Sequence, residues 1–137
     1  MSVVSIPPIL DWTAVAADSP YPAEAFAFVQ EGLGYTSDLM IGDRFGLEEL
    51  DRHVTGQQLC LGLRDFAIEQ YGLLAPVVLR QWGVHRTDDF GAIVYHMVDH
   101  GHLRTSMQDS PDDFRAVFVF DEAFHRQELV DRIGVDR

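Results

Sequence analysis

Apolar residues recur at helical spacing between Thr87 and Gly101. The stripe consists of Phe90, Ile93, Val94, Met97 and Val98. These are the i, i+3, i+4, i+7 and i+8 positions that share one face of an α-helix. Thr87 stands where a helix cap is favoured, the two acids after it suit the positive end of the helix dipole, and Gly101 supplies a left-handed stop. The pattern predicts a helix over residues 88–100 that is buried along one face.

A second apolar stripe lies just upstream and belongs to a shorter helix. It consists of Leu74, Val77, Val78 and Trp82. Pro76 is tolerated in the first turn of a helix, and Gly83 suits its end. Only residues 83–86 separate this helix from the next one, so we expect the two helices to cross at a steep angle.

Two longer helices are predicted earlier in the chain. Thr55 caps a helix over residues 56–71, with a buried stripe of Leu59, Leu63, Phe66, Ala67 and Tyr71. Pro22 opens another helix, whose inward face is marked by Phe26, Val29 and Leu33. Phe28 and Tyr35 fall off that stripe. Their placement predicts a helix that is covered on two sides or one that contacts a partner.

The period of the apolar pattern changes after Gly101. Every second residue from Leu103 and again from Phe114 faces one side, which is the spacing typical of strands. Residues 108–113 between the two runs are turn formers. The pattern predicts a β-hairpin over residues 103–120 that packs on the preceding helix. We therefore predict a mainly α fold with one β-hairpin, an α+β domain of winged-helix type with an extra N-terminal helix.

The two ends of the chain and one connection are weakly patterned. Residues 1–20 contain three prolines and predict an irregular N-terminal arm, so residues 21–137 make up the single winged-helix-like domain. Signals are weak over residues 36–53, where residues 47–51 could form one or two helical turns. The tail over residues 122–133 predicts a surface helix.

Composition adds a strong acidic bias to this picture. The 137 residues carry a formal net charge of −12, and residues 1–51 hold nine acids against Arg44 alone. Such a field repels phosphate backbones and attracts basic partners, although acids also keep a small protein in solution. All ten basic residues are arginine. The lack of lysine excludes a lysine Schiff base and a lysine that binds a nucleotide phosphate.

The single cysteine and the N-terminus bear on the compartment. Cys60 cannot form an internal disulfide, and its apolar neighbours Leu59 and Leu61 predict a buried, inert thiol. The N-terminus has no positive charge before its apolar residues, and no apolar run approaches the roughly 20 residues of a membrane span. We expect a cytoplasmic protein with no membrane insertion.

Three histidines form the main candidate site in the sequence. His96 and His100 stand at i and i+4 of a predicted helix, and His102 follows two residues later. Histidines at this spacing can share one metal ion. On a helical wheel, however, His100 lies at the margin of the apolar stripe and His96 lies further round towards solvent, which favours two exposed side chains over a metal site. The zinc-protease pattern also needs a glutamate beside the first histidine, and Met97 holds that place. We expect no cofactor and no catalytic residue.

The winged-helix arrangement invites comparison with nucleic-acid-binding proteins. The helix that would enter the major groove, residues 88–100, carries three aspartates and no arginine. Both this helix and the predicted wing would place negative side chains against the negatively charged phosphates of the nucleic acid. Nucleic-acid binding is therefore disfavoured and is kept only as an alternative.

Four segments of the chain are distinctive when their order and spacing are taken together. They are TGQQL at 55–59, GLR at 62–64, WGV at 82–84 followed by TDDFGAIV at 87–94, and DDFR at 112–115 followed by FVFDEAF at 118–124. Together they resemble a family of small conserved hypothetical proteins found mainly in Planctomycetes and Verrucomicrobia. The resemblance covers about residues 21–125. It implies a bacterial, cytoplasmic, single-domain protein and carries no catalytic or binding residue across.

The sequence favours a protein–protein interaction module, or an accessory subunit of a bacterial assembly, with no chemistry of its own. The reasons are the lack of a usable catalytic set, the acidic front third and the aromatic side chains outside the stripes. The candidate partner-binding residues are Trp12, Phe28 and Tyr35, and the expected partner is another protein with a basic surface. The alternatives are a metal-dependent or metal-stabilised protein that uses the three histidines, and a winged-helix nucleic-acid-binding protein.

Overall fold

The computed structural model describes residues 2–3, 11–43 and 53–133. Within these ranges the helices are α1 (Trp12–Ala16), α2 (Ala23–Asp43), α3 (Gly56–Tyr71), α4 (Ala75–Gln81), α5 (Thr87–Asp99), α6 (Phe120–Ala123) and α7 (Arg126–Ile133). Short 3-10 turns cover Gly72–Leu74 and Pro111–Phe114, and two short strands are β1 (Ser2–Val3) and β2 (Leu103–Arg104). The prediction of a mainly helical protein is confirmed.

The core forms where α2, α3 and α5 meet. Among the described helices, α2 and α3 make the most extensive contact with each other, and α5 packs against both. The predicted stripes supply the fully buried side chains Leu59, Leu63, Ala67, Phe90, Ile93, Val94 and Met97. The period of 3.6 in the sequence therefore identified the inward faces of α3 and α5 correctly.

The helix boundaries follow mostly from the predicted caps. The Thr55 hydroxyl accepts from the Gln58 amide at 3.1 Å, and the Gln58 side chain accepts from the Thr55 amide at 2.9 Å. This reciprocal pair is a capping box, which satisfies two amides at the start of α3. Gly101 lies just after α5 and has a φ of 80°, which is in the left-handed region. It therefore stops the helix, as predicted.

The start of α5 differs from the prediction. The Asp89 carboxylate accepts from the backbone amides of His85 at 2.8 Å and Arg86 at 3.2 Å, so an acid of the first turn holds the incoming chain. Thr87 is the first residue of the helix rather than its cap. Its buried hydroxyl donates to the carbonyl of Phe114 at 2.7 Å. The threonine thus holds the segment around Phe114, which is distant in the sequence, against the start of α5.

The predicted hairpin over residues 103–120 is not formed. Strand β2 pairs antiparallel with β1 at the N-terminus instead. Pro111–Phe114 form a 3-10 turn, and Ala116 has a φ of 49°, in a left-handed region that an extended strand excludes. The hairpin prediction was wrong, and the winged-helix arrangement that depended on it is not confirmed.

The alternation of aromatic residues in this segment has another cause. Phe114 is buried between α3 and α5, at a place that two glycines leave open. A Cβ atom on Gly91 would lie 2.8 Å from the Phe114 Cβ, and one on Gly56 would lie 3.0 Å from the Phe114 ring. The later phenylalanines pack on one another and on α5: Phe118 and Phe120 are stacked, Phe120 and Phe124 meet edge to face, and Phe120 also contacts Phe90.

The predicted N-terminal arm contains ordered elements. Strand β1 and helix α1 both fall within residues 1–20, and the α1 side chains Trp12 and Val15 belong to the core. Helix α2 extends to Asp43, across the first part of the region with weak signals. The possible turn over residues 47–51 lies outside the described residues.

The C-terminal segment forms two short helices rather than one. Phe124 and His125 separate α6 from α7, and the carbonyl of His125 accepts from the Leu129 amide at 2.9 Å. Leu129 is buried, and the Arg132 guanidinium binds the Asp65 carboxylate of α3. The tail thus caps one end of the core. No helix among the described residues is long and apolar enough to cross a membrane.

Candidate metal centre

Helix α5 brings two histidines together at its C-terminal end. His96 lies in the last turn, and His100 follows directly after the helix. The spacing of four residues places the rings one above the other, with their centroids 4.4 Å apart. The His96 ring also packs 5.4 Å from the ring of Phe26 on α2. The inner histidine is therefore held by packing, and the outer one is more exposed.

The third polar group comes from the turn after α1. Asp18 places its Oδ1 atom 2.9 Å from Nε2 of His96 and 3.7 Å from Nε2 of His100. One ligand atom from each of the three residues lies within 4.8 Å of the other two. The sequence predicted His102 as the third member of this cluster. Its ring instead makes an edge contact with Trp12, with centroids 5.3 Å apart.

The hydrogen bond of His100 determines which of its nitrogens is free. Its Nδ1 atom lies 3.0 Å from the carbonyl oxygen of His96. A carbonyl only accepts, so Nδ1 carries the proton and donates it. In the neutral ring Nε2 then has a bare lone pair, and this is the nitrogen that faces Asp18. Metal-binding histidines commonly have this arrangement, with the second nitrogen donating to a backbone carbonyl or a carboxylate.

His96 has a different hydrogen bond. Its Nε2 atom lies 2.6 Å from the carbonyl oxygen of Val15, at the C-terminal end of α1. The last carbonyls of a helix have no partner within the helix, and a histidine N–H can satisfy one of them. The Asp18 oxygen lies close to the same nitrogen. The N–H of this nitrogen donates to Val15, so a metal ion bound at Nε2 would take the place of that hydrogen bond.

The distances agree with the needs of a zinc-like ion. Zinc binds histidine nitrogen at about 2.0–2.1 Å and carboxylate oxygen at about 2.0–2.2 Å, so neighbouring ligand atoms of a tetrahedral site lie roughly 3.3 Å apart. The two distances from Asp18, 2.9 and 3.7 Å, bracket that value. The two histidine ligand atoms lie within 4.8 Å of each other, so movement of the exposed Asp18 and His100 side chains would bring all three groups to a common centre. Two imidazoles and a carboxylate suit zinc, iron and nickel.

The electrostatics of the cluster also favour a cation. The Asp18 carboxylate, whose side chain is 67% exposed, faces the Nε2 atoms of both histidines. A carboxylate oxygen and two imidazole nitrogens are together a donor set that a divalent ion of the zinc class accepts.

The residues predicted to bind a partner lie mostly inside the protein. Trp12 is 8% exposed and Phe28 is 3% exposed. Phe28 packs against the rings of Phe66 and Trp82, both at 5.4 Å between centroids, and half-buried Tyr35 packs 5.2 Å from Phe66. This is the packing of a helix covered on two sides, which the sequence left open as the other explanation.

Cavities elsewhere among the described residues include one of about 520 Å³, with Val84, Phe120 and Phe124 among its lining residues together with Arg80 and His125. Two more, of about 400 and 280 Å³, lie beside α7 and beside the 3-10 turn after β2. None of the three is lined by the histidine cluster.

Comparison with known proteins finds no match for this chain among family models, curated proteins or solved structures. The family resemblance read from the sequence stays a prediction. Asp18 is the member of the cluster that sequence reasoning missed. It lies far from the histidines in the chain, in a segment predicted to be an irregular arm, and no spacing rule connects it to them.

Proposed function

We propose that this protein is a metal-stabilised helical domain that binds one divalent transition-metal ion of the zinc class through Asp18, His96 and His100. The main support is the orientation of His100, whose Nδ1 donates to a backbone carbonyl while Nε2 faces the Asp18 carboxylate. This orientation prepares one nitrogen and one oxygen for a cation. His96 adds a second nitrogen within the same small volume.

The proposed role of the metal is structural. Its ligands come from the turn after α1 and from the end of α5, two segments that are far apart in the sequence. An ion that binds the folded chain and not the unfolded chain adds its binding free energy to folding. At a free metal concentration 100 times the Kd, the gain is about 2.7 kcal/mol. A small acidic domain would gain measurable thermal stability from such a site.

Zinc binding to untagged protein tests this proposal. Protein stripped with a chelator should take up one zinc ion per chain in a calorimetric titration, and zinc should raise its Tm. Asp18→Asn removes the charged oxygen with almost no change of shape, and His100→Gln removes the imidazole. Each variant should lose the zinc-dependent rise in Tm while its metal-free Tm changes little, because both side chains are partly exposed.

Two matched controls make the test specific for this ligand set. Asp99→Asn removes an exposed acid next to His100 that is outside the cluster, and it should keep the zinc response. His102→Gln distinguishes the cluster in the structure from the one predicted from sequence. Zinc binding that survives His102→Gln and is lost in Asp18→Asn supports the structural set. Stripped protein that takes up no zinc, or a response that survives both ligand substitutions, contradicts the proposal.

We also propose an interaction role, in which the protein binds a cytoplasmic partner with a basic surface. The specific support is an exposed apolar patch, named here the Val119 patch, that consists of Phe118, Val119 and Phe120. Val119 is 55% exposed, and the half-buried rings of its two neighbours in the sequence, Phe118 and Phe120, stack on each other. The net charge of −12 favours a basic partner around such a patch.

Capture from the native cell tests the interaction role with a matched pair of variants. Wild-type protein should retain a basic protein whose binding weakens as salt rises, because charge supports the association. Val119→Ser should reduce the amount retained, and Gln70→Ser, at an exposed polar position on α3, should not. Equal retention by both variants would contradict a role for the patch. The nucleic-acid alternative relied on the hairpin and is not proposed.

A further inference from the structure

Helix α1 is too short to be stable without tertiary contacts. It has five residues, little more than one turn, and its N-terminal cap is the Asp11 carboxylate, which accepts from the Thr13 amide at 2.9 Å. A helix of this length forms in a protein only where packing holds it. The buried side chains that it contributes are Trp12 and Val15. Its position therefore depends on a few contacts with the rest of the molecule.

Those contacts lie on α2, on α5 and just beyond α5. The Trp12 ring stacks 6.2 Å from the ring of Phe26 and touches His102 with an edge. The Val15 carbonyl accepts from Nε2 of His96, a hydrogen bond that a metal ion at that nitrogen would replace. Trp12 and Phe26 are both buried in the closed arrangement. Movement of α1 away from the body would expose both aromatic side chains together.

The metal ligands lie on either side of this contact. Asp18 is two residues beyond the end of α1, whereas His96 and His100 belong to the α5 end. We infer that metal binding at this cluster is a latch that holds α1 closed on the body, so that loss of the metal increases the exposure of Trp12 and Phe26. This inference rests on the proposed function, since it assigns a consequence to the same site.

The size of the effect follows from the linkage between binding and opening. All three ligands meet only when α1 is closed, so the metal binds the closed form and shifts the population towards it. With free zinc at 100 times the Kd, the open population should fall about a hundredfold. The change should be confined to α1 and its turn. The core formed by α2 and α3 should respond far less, because its opening does not separate the ligands.

Hydrogen exchange measured on the full chain with and without zinc tests the latch. The relevant amides lie in residues 13–21, where Ser19 donates to the Ala16 carbonyl and Tyr21 donates to the Ser19 hydroxyl. Their exchange should slow by one to two orders of magnitude at saturating zinc, and Asp18→Asn should abolish the slowing. Amides of α3 serve as the internal control. The zinc content of the same samples is measured by elemental analysis.

Tryptophan fluorescence gives a second, independent measurement. In Trp82→Phe, which keeps only Trp12, removal of zinc should shift the emission to longer wavelength and increase quenching by acrylamide. In Trp12→Phe, which keeps only Trp82, zinc should change neither quantity, because Trp82 packs against Phe28 and Tyr71 on the other side of α2. Bound zinc that changes neither the exchange of residues 13–21 nor Trp12 fluorescence overturns the latch and leaves metal binding intact. Protein that binds no zinc overturns both.

Discussion

Gly62 determines how closely α2 and α3 approach. A Cβ atom at this position would lie 1.8 Å from the Thr36 hydroxyl oxygen and 2.8 Å from the Thr36 Cβ. That hydroxyl is buried and donates to the Gly32 carbonyl at 2.7 Å, so it cannot move aside without losing its hydrogen bond. The close packing of α2 on α3 therefore requires a residue without a side chain at position 62.

Replacement of Gly62 by alanine should destabilise the protein by about 1–3 kcal/mol, because the added methyl group overpacks the contact. Gly34 is the matched control. It lies in α2, and a Cβ there would meet no atom within 4 Å, so Gly34→Ala should stabilise the helix by about 0.5–1 kcal/mol. Urea unfolding of both variants measures the two effects. Equal effects of one sign would contradict the packing argument.

Cys60 should be chemically inert in the folded protein. Burial raises the pKa of its thiol to about 12, and Asp88 adds a smaller effect in the same direction. At pH 8, four units lower, about one thiol in ten thousand is ionised, and the thiolate is the reactive form. Labelling with a thiol reagent should therefore be slow in native buffer and rapid in guanidinium chloride. Rapid labelling of the native protein would show that the thiol is accessible.

Only part of the candidate site could be predicted from the sequence, as its individual residues show. His96 and His100 were found because a spacing of four places two side chains on the same side of one helix. Asp18 was not found, because its distance from the histidines depends on how the turn after α1 packs against α5. Prediction of a ligand set from sequence works within an element and fails between elements that only the fold brings together.

At the scale of elements, Thr87 explains why residues 114–120 form no strand. Its hydroxyl donates to the Phe114 carbonyl and accepts from the Val117 amide at 3.1 Å. These are backbone groups that a hairpin would have paired with a neighbouring strand. The Asp88 carboxylate lies 3.3 Å from the Ala116 amide and accepts its hydrogen bond. The start of α5 therefore replaces a strand as the partner of this segment.

Thr87→Val should destabilise the protein by about 1–3 kcal/mol, since it leaves the Phe114 carbonyl and the Val117 amide without their partner while keeping the shape of the side chain. Thr87→Ser keeps the hydroxyl and should recover most of the loss. Thermal unfolding compares the two variants. A valine variant as stable as the wild type would mean that the hydroxyl is not needed to hold the segment on α5.

At the scale of the whole molecule, α2 is covered on two faces. Phe26 faces α1 and the His96 side of α5, and Phe28 packs with rings of α3 and with Trp82, which follows α4. The sequence showed Phe28 outside the main stripe of α2 and offered a partner surface or a second covering as explanations. In the structure, the second face is covered by the chain itself.

Phe28→Ala should cost about 3–5 kcal/mol, the range for loss of a large buried aromatic side chain. Leu39→Ala on the same helix is the control. Leu39 is 48% exposed, so its truncation should change the stability by no more than about 0.5 kcal/mol. Chemical unfolding measures both. A Phe28 variant with the same free energy of unfolding as the wild type would contradict a core role and would favour Phe28 as a partner contact.

The sequence by itself determined the main helices, the inward faces of α2, α3 and α5, and most of the helix ends, because these features depend on residues within a few positions of one another. For α4 the predicted stripe was wrong, since Leu74 is 63% exposed and the buried residues are Ala75 and Leu79. It also determined the acidic charge and the absence of lysine chemistry. Only the tertiary structure decided that residues 114–120 bond to α5 rather than to a second strand, and that Asp18 rather than His102 joins His96 and His100. Both outcomes depend on contacts between segments far apart in the chain, whose free energies are comparable to the local preferences that they override.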